Sequence, residues 1–133
     1  MAEPKRKSDP EIPAASGPPS AYPAPKKTDE RMMSECEAVI DIISAFFNVS
    51  GKEIRNPTRS PAPVARVRQI GMYAAHTVLQ IPMKDVGCGF ARDRTTVQHA
   101  VNLVEDWRED REFDGIVDQV ERLVRVLVRR EPI

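Results

Sequence analysis

The sequence predicts an all-α domain built around a helix-turn-helix and set behind a proline-rich segment without regular structure. Three observations carry this. From residue 29 onward apolar residues recur at steps of three and four, the period of helices with one buried face. Seven of the twelve prolines (Pro4, Pro10, Pro13, Pro18, Pro19, Pro23 and Pro25) precede Lys26 in company with Ser16, Gly17 and Ser20. Such a composition supports neither helix nor ladder and has little to bury. Finally, a short segment after Pro82 and a polar one after Asp93 are separated by a few residues, as in two helices joined by a tight turn.

Residues 1 to 27 are therefore expected to form a disordered basic tail, with Lys5, Arg6 and Lys7 near one end and Lys26 and Lys27 at the other. The tail reads as a solvated leader able to add nonspecific phosphate contact. The folded domain is expected over residues 28 to 130. Its first helix, at about 29 to 48, carries Met32, Met33, Cys36, Val39, Ile40, Ile43, Phe46 and Phe47, with Thr28 or Asp29 as cap and Gly51 just past its end. Asn56 to Pro63 contains three prolines and reads as a loop after one short turn at Lys52 to Arg55. A second helix spans about 64 to 79, its core face made of Val67, Ile70, Tyr73, Ala74 and Val78. Arg66 and Arg68 at its start oppose the helix dipole, so something outside the helix must favour them, such as a phosphate. Met83 to Phe90 reads as a short helix, and the next begins at Asp93 or Arg94 and runs to about Glu109 with Val97, Ala100, Val101, Val104 and Trp107 inward. The last, at about 112 to 128, places Phe113, Ile116, Val117, Val120, Leu123, Val124 and Leu127 inward.

The formal net charge is zero, but the sum hides a segregation. Between residues 55 and 99, Arg55, Arg59, Arg66, Arg68, Lys84, Arg92 and Arg94 face only Asp85 and Asp93, whereas the segments on either side are acidic. Two cysteines are too few for a disulfide scaffold, and no apolar leader or spanning segment is visible, so the cytoplasm is the expected compartment. Cys36, Cys88, His76 and His99 are not at ligand spacing, and neither a metal nor a cofactor is expected. The acidic run Glu105, Asp106, Glu109 and Asp110 has no pocket signature and reads as a solvated helix face. Trp107, without aromatic company, reads as core, and His76 as solvated. The chain is not expected to be an enzyme.

What distinguishes the residue 83 to 107 pair from an ordinary αα-hairpin is the polar start of its second helix. Arg94, Thr95, Thr96, Gln98 and His99 can all bond base edges or phosphates. The bland reading of these residues is a capping threonine and a solvated arginine.

Two stretches add a resemblance. Val64-Ala65-Arg66-Val67-Arg68-Gln69-Ile70 and Asp93-Arg94-Thr95-Thr96-Val97-Gln98-His99-Ala100, with Ile81-Pro82-Met83-Lys84-Asp85-Val86-Gly87 between them, resemble in order the signatures of the C-terminal helix-turn-helix domain of the bacterial replication initiator DnaA. The likeness covers about 31 to 128. It implies recognition of short asymmetric duplex sites related to the DnaA box, by one domain per site, with the apolar last helix leaving a dimer open. Carried over by position, Arg68 and Gln69 match the pair that contacts DNA near the start of the long helix, and Arg66 and Arg92 match basic positions at the phosphate surface. Asp93, Thr95, Thr96 and His99 match the recognition-helix positions, and Arg59 lies in the loop that enters the minor groove.

Three departures bear on site preference. Arg94 replaces the family's histidine, a permanent charge with several donors in place of a modest donor. The usual Gly-Gly before Arg92 is shortened to Ala91, and the loop around Arg59 is less basic. No phosphate-binding loop of the G-x-x-x-x-G-K-(S/T) kind occurs, so neither nucleotide binding nor ATP-driven assembly is expected. The expectation is sequence-specific binding of double-stranded DNA at DnaA-box-like sites, regulating replication initiation or transcription. The rival expectation is a protein-interaction module on a helix-turn-helix scaffold that no longer reads DNA.

Overall fold

The computed structural model describes residues 25 to 58 and 61 to 132, with side chains from residue 30 onward. Within them the chain forms α1 (Pro25–Phe47), α2 (Gly51–Arg55), α3 (Ala62–Thr77), α4 (Met83–Phe90), α5 (Arg94–Trp107) and α6 (Arg111–Leu127), so the expected all-helical class holds. Arg59 and most of the expected tail, residues 1 to 24, lie outside the described residues.

α1 starts at Pro25, ahead of Thr28 and Asp29, which fall inside the helix instead of capping it. A proline costs nothing at a helix start, where its missing N–H would have no partner. The helix ends at Asn48, which adopts a left-handed conformation with φ 57°. The Val49 N–H then reaches back 3.0 Å to the Ser44 carbonyl, and the Ser44 hydroxyl donates to the Val49 carbonyl. Gly51, expected as the residue past α1, instead opens α2, whose cap is the Ser50 hydroxyl accepting the Glu53 N–H at 3.2 Å.

The expected core face of α3 is buried, and Met72 and Ala75 are buried as well, because α3 packs against α2, α4, α5 and α6 at once. α6 departs from expectation. Its three-four rhythm places Val117, Val120 and Val124 in the core with no exposure, but Ile116 is 38% and Leu127 59% exposed. The apolar stripe is wider than the line along which α6 meets its neighbours. On α1, Met33 and Phe46 are exposed for the same reason.

A polar cluster fastens α6. Arg108, just past α5, donates to Asp114, Asp118 and Glu121 on α6 and to the Tyr73 hydroxyl on α3 at 3.2 Å, while Tyr73 donates to Glu105 at 2.7 Å. Burial works against the Arg108 charge, but the bonds to Asp114, Tyr73 and Glu121 outweigh it and hold the guanidinium firmly protonated. Burial and the bond to Glu105 push the Tyr73 hydroxyl up to about 12. Arg108→Met should therefore lower the unfolding free energy by about 2 kcal/mol, since it strips charge-assisted bonds from the partly buried Glu121 and Asp114 as well as from the exposed Asp118. Urea midpoints of the two proteins read this directly.

Candidate nucleic-acid interface

The junction of α4 and α5 forms where expected, and its turn is a closed motif. Ala91 takes the left-handed conformation at φ 58°, its N–H reaches the Cys88 carbonyl at 3.4 Å, and the Arg92 N–H reaches the Gly87 carbonyl at 2.8 Å. One left-handed residue thus suffices for the shortened turn. Gly87 makes this closure sterically feasible: a β-carbon there would lie 2.4 Å from the Arg92 carbonyl oxygen. Gly89 performs a similar service on the other flank of α4, where a β-carbon would lie 2.5 Å from the Cys36 sulfur. Cys36 is fully buried, and burial, ahead of Glu35, Asp85 and Cys88, pushes its thiol up to about 12; Cys88 is exposed.

Asp93 caps α5. Its carboxylate accepts the Thr96 N–H at 2.8 Å and also bonds the Thr96 hydroxyl, and these two bonds hold the carboxyl below its ordinary value. The side chains of Arg94, Thr95, Thr96, Gln98 and His99 are exposed, while Val97, Ala100 and Val104 anchor the opposite face in the core. Thr95 and His99, four residues apart, share one side of the helix, as do Arg94 and Gln98.

The arginines expected at a phosphate surface have intramolecular partners. Arg68 is not at the surface: it is 6% exposed, and its guanidinium donates to the carbonyls of Ile54 at 2.7 Å and Glu53 at 3.3 Å. Burial, and then the nearby Arg92 charge, lowers its basicity. Arg92 is half-buried and donates to the Asn56 carbonyl at 2.8 Å and to its neighbour Ala91 at 3.0 Å. Arg66 is exposed but stacks over Trp107, 4.7 Å from the ring centroid. The cost of placing basic residues at the start of α3 is thus met inside the protein. Gln69 is half-buried beside Arg68.

Sequence reasoning missed two of these features. The Arg108 cluster had a signal in the acidic residues Asp114, Asp118 and Glu121, spaced four and three apart just downstream. The carbonyl acceptors of Arg68 and Arg92 had none, because backbone oxygens carry no sequence signature. His76, read as solvated, is half-buried and donates through Nδ1 to the Ile81 carbonyl at 2.9 Å.

The family described as the bacterial dnaA protein helix-turn-helix matches residues 36 to 104. The chain belongs to this family. Among its relatives, the chromosomal replication initiator protein DnaA of Lachnoclostridium phytofermentans is 32% identical over 92 residues, which are 68% of this chain and 20% of that protein. The protein of the same name from Anaplasma marginale is 34% identical over 86 residues, 64% of this chain and 18% of its own length. The chain thus spans about a fifth of the length of these DnaA relatives. A crystal structure of a DNA replication initiation factor shares the fold, with a TM-score of 0.67 at 21% identity, covering 74% of this chain and 30% of that one.

Against the glycine pair of the DnaA signature, Ala91 holds a conformation that costs an L-residue about 1 kcal/mol or more. Ala91→Gly should stabilise the protein by about 0.5 kcal/mol, once the entropy of a freer unfolded chain is subtracted. Gly87→Ala should lower the melting temperature sharply, since a backbone oxygen and not a flexible side chain must give way; thermal unfolding monitored by circular dichroism compares the two.

Asp93 makes a pH-dependent prediction. With its folded value depressed, the cap's stabilisation is complete above the ordinary value near 3.8 and is lost as pH falls through the folded value. Asp93→Ala should therefore be less stable than the wild type at neutral pH, and the gap between them should narrow as pH falls through the folded value. Asp93→Asn, which still accepts the Thr96 N–H, should show the smaller loss at neutral pH.

Proposed function

We propose that this protein binds double-stranded DNA in a sequence-specific manner through the exposed first turns of α5, at sites related to the DnaA box. The observation that carries the reading is a rigidly capped helix whose inner face is locked in the core while Arg94, Thr95, Gln98 and His99 stand exposed together on the outer one. Arg94 and Thr95 would read base edges in the major groove, arginine by forking to guanine and threonine by meeting a thymine methyl. His99 would make base or backbone contact one turn further along. Asp93 and Thr96, joined in the cap, would fix the angle at which these side chains enter. Arg66 and Gln69 on α3 would contact the flanking backbone, as Arg59 would in the α2–α3 connection. Occupying such sites would compete with the initiator or regulate transcription, and nothing in this reading requires nucleotide hydrolysis.

A second reading, docking of a protein partner, is favoured by the exposure of Phe46 and Leu127, which with Leu123, Val126 and Arg122 line a shallow groove of about 400 Å³. Fluorescence anisotropy with a DnaA-box duplex and a scrambled competitor, across a salt series, separates the two. DNA reading predicts a preference for the box and an affinity that falls with salt; docking alone predicts no preference at any salt. Within the DNA reading, Thr95→Ala should remove most of the preference, a loss of about fivefold or more on the box. Arg66→Ala should weaken both duplexes equally and lower the salt slope by about 1. An equal loss of preference from both substitutions would overturn that division of roles.

A further inference from the structure

α2 is only five residues long, yet it is held from three directions. Ile54 is wholly buried among the core side chains. The carbonyls of Glu53 and Ile54 accept from Arg68 of α3, and the carbonyl of Asn56, the next residue past the helix, accepts from Arg92 of the α4–α5 turn. These carbonyls stand at the C-terminal end of a helix, the negative end of its dipole, where partners within the helix run out; that of Glu53 also accepts the Asn56 N–H at 3.3 Å. Two guanidiniums converge there, and the Arg92 charge adds to the larger effect of burial in lowering the basicity of Arg68, an arrangement that costs charge repulsion. Beyond the helix, Asn56 Oδ1 accepts from both the N–H and the hydroxyl of Thr58, at 2.9 and 2.8 Å, which fixes the chain's exit as well. Arg92 lies next to the Asp93 cap of α5, so one side chain links the end of α2 to the start of the recognition helix. On the outside of α2, Lys52 and Arg55 are exposed and line a shallow concavity with Asn56 and Pro57.

We propose that α2 is a second DNA-contacting element, that Lys52 and Arg55 bind phosphates of the duplex backbone, and that Arg68 and Arg92 are positioning residues that hold α2 in register with α5. The proposal rests on the DNA-binding reading above and adds to it both a contact element and the means of fixing its distance from α5. Arg68 is 6% exposed, with Nε and Nη2 turned to the carbonyls of Ile54 and Glu53, so it acts through α2. Arginine is suited to position 92 because its fork donates to two carbonyls, those of Ala91 and Asn56, which a lysine ammonium at the end of a flexible stem would hold poorly.

The test has one arm with DNA and one without. In the DNA arm, Lys52→Ala combined with Arg55→Ala should weaken box and scrambled duplexes by the same factor and lower the salt slope by nearly 2. Arg92→Lys, which keeps the charge, should reproduce most of that loss and add little when combined with the double substitution. In the free protein, Arg92→Lys should speed amide hydrogen exchange in α2 at Ile54 about tenfold while leaving α5 unchanged. An unchanged salt slope in the double variant would exclude α2 from the contact surface. Full binding by Arg92→Lys with loss in Arg92→Ala would make Arg92 a simple phosphate ligand. Unchanged exchange in α2 would remove the clamp. If the wild type binds neither duplex, the DNA reading fails and takes the contact role of Lys52 and Arg55 with it, while the exchange arm still decides whether Arg92 holds α2.

Discussion

The closure of the α4–α5 turn on Gly87 is the constraint on which the rest of the arrangement depends. The Arg92 N–H meets the Gly87 carbonyl, and the Arg92 carbonyl oxygen lies only 2.4 Å from where a β-carbon of residue 87 would be. Because the chain comes this close to α4, it leaves the turn in one direction. That direction places Asp93 beneath the Thr96 N–H as a cap and sends the Arg92 side chain to Asn56. The apolar face of α5 then falls on α3 and α4, and its polar face has no choice but to point outward.

Charge is used in this fold in a way that a net count conceals. Of the basic surplus between residues 55 and 99, Arg68 and Arg92 neutralise the end of α2 and Arg66 covers an aromatic ring. Arg108, from the acidic segment that follows, gathers three carboxylates. A guanidinium can do this where an ammonium cannot, because several planar donors allow it to join elements that approach from different sides. The cost is that a basic stretch of sequence overstates the basic surface. On the proposed reading the positive charge left for DNA is smaller than the count suggests and lies on α5, on the rim of α3 and on α2.

Much of the fold was legible because helical periodicity is a local property. α4 and α5 begin where Pro82 and Asp93 indicate, and the core lines of α1, α3 and α5 follow from three-four spacing. Legibility declined where a residue's role is set by a distant partner. Periodicity marks Ile116 and Leu127 as apolar-face residues but cannot show that the surface opposite them ends, and they are exposed. An arginine reads as a surface residue until its acceptors are known, and those of Arg68 lie 14 and 15 residues away on a backbone. The candidate site divides in the same way: the outward side chains of α5 were readable from their own helix, but the residues that fix its setting were not.

The Asp93 cap also constrains how α5 could meet a polyanion. An uncapped helix start offers free N–H groups and a positive dipole end to a phosphate. Here the Thr96 N–H is already bonded to a carboxylate that stays ionised to lower pH than usual, so this end of α5 carries a negative charge instead of an anion-binding vacancy. A phosphate approaching it meets repulsion unless a neighbouring cation offsets the aspartate. Arg94, the very next residue, supplies a charge that does not titrate away, which the histidine of the DnaA signature would supply only when protonated. On the proposed reading, the exchange of histidine for Arg94 makes the anion tolerance of this helix start independent of pH in the neutral range, and shifts its attraction for DNA from the helix dipole to a side chain that can also fork to a base.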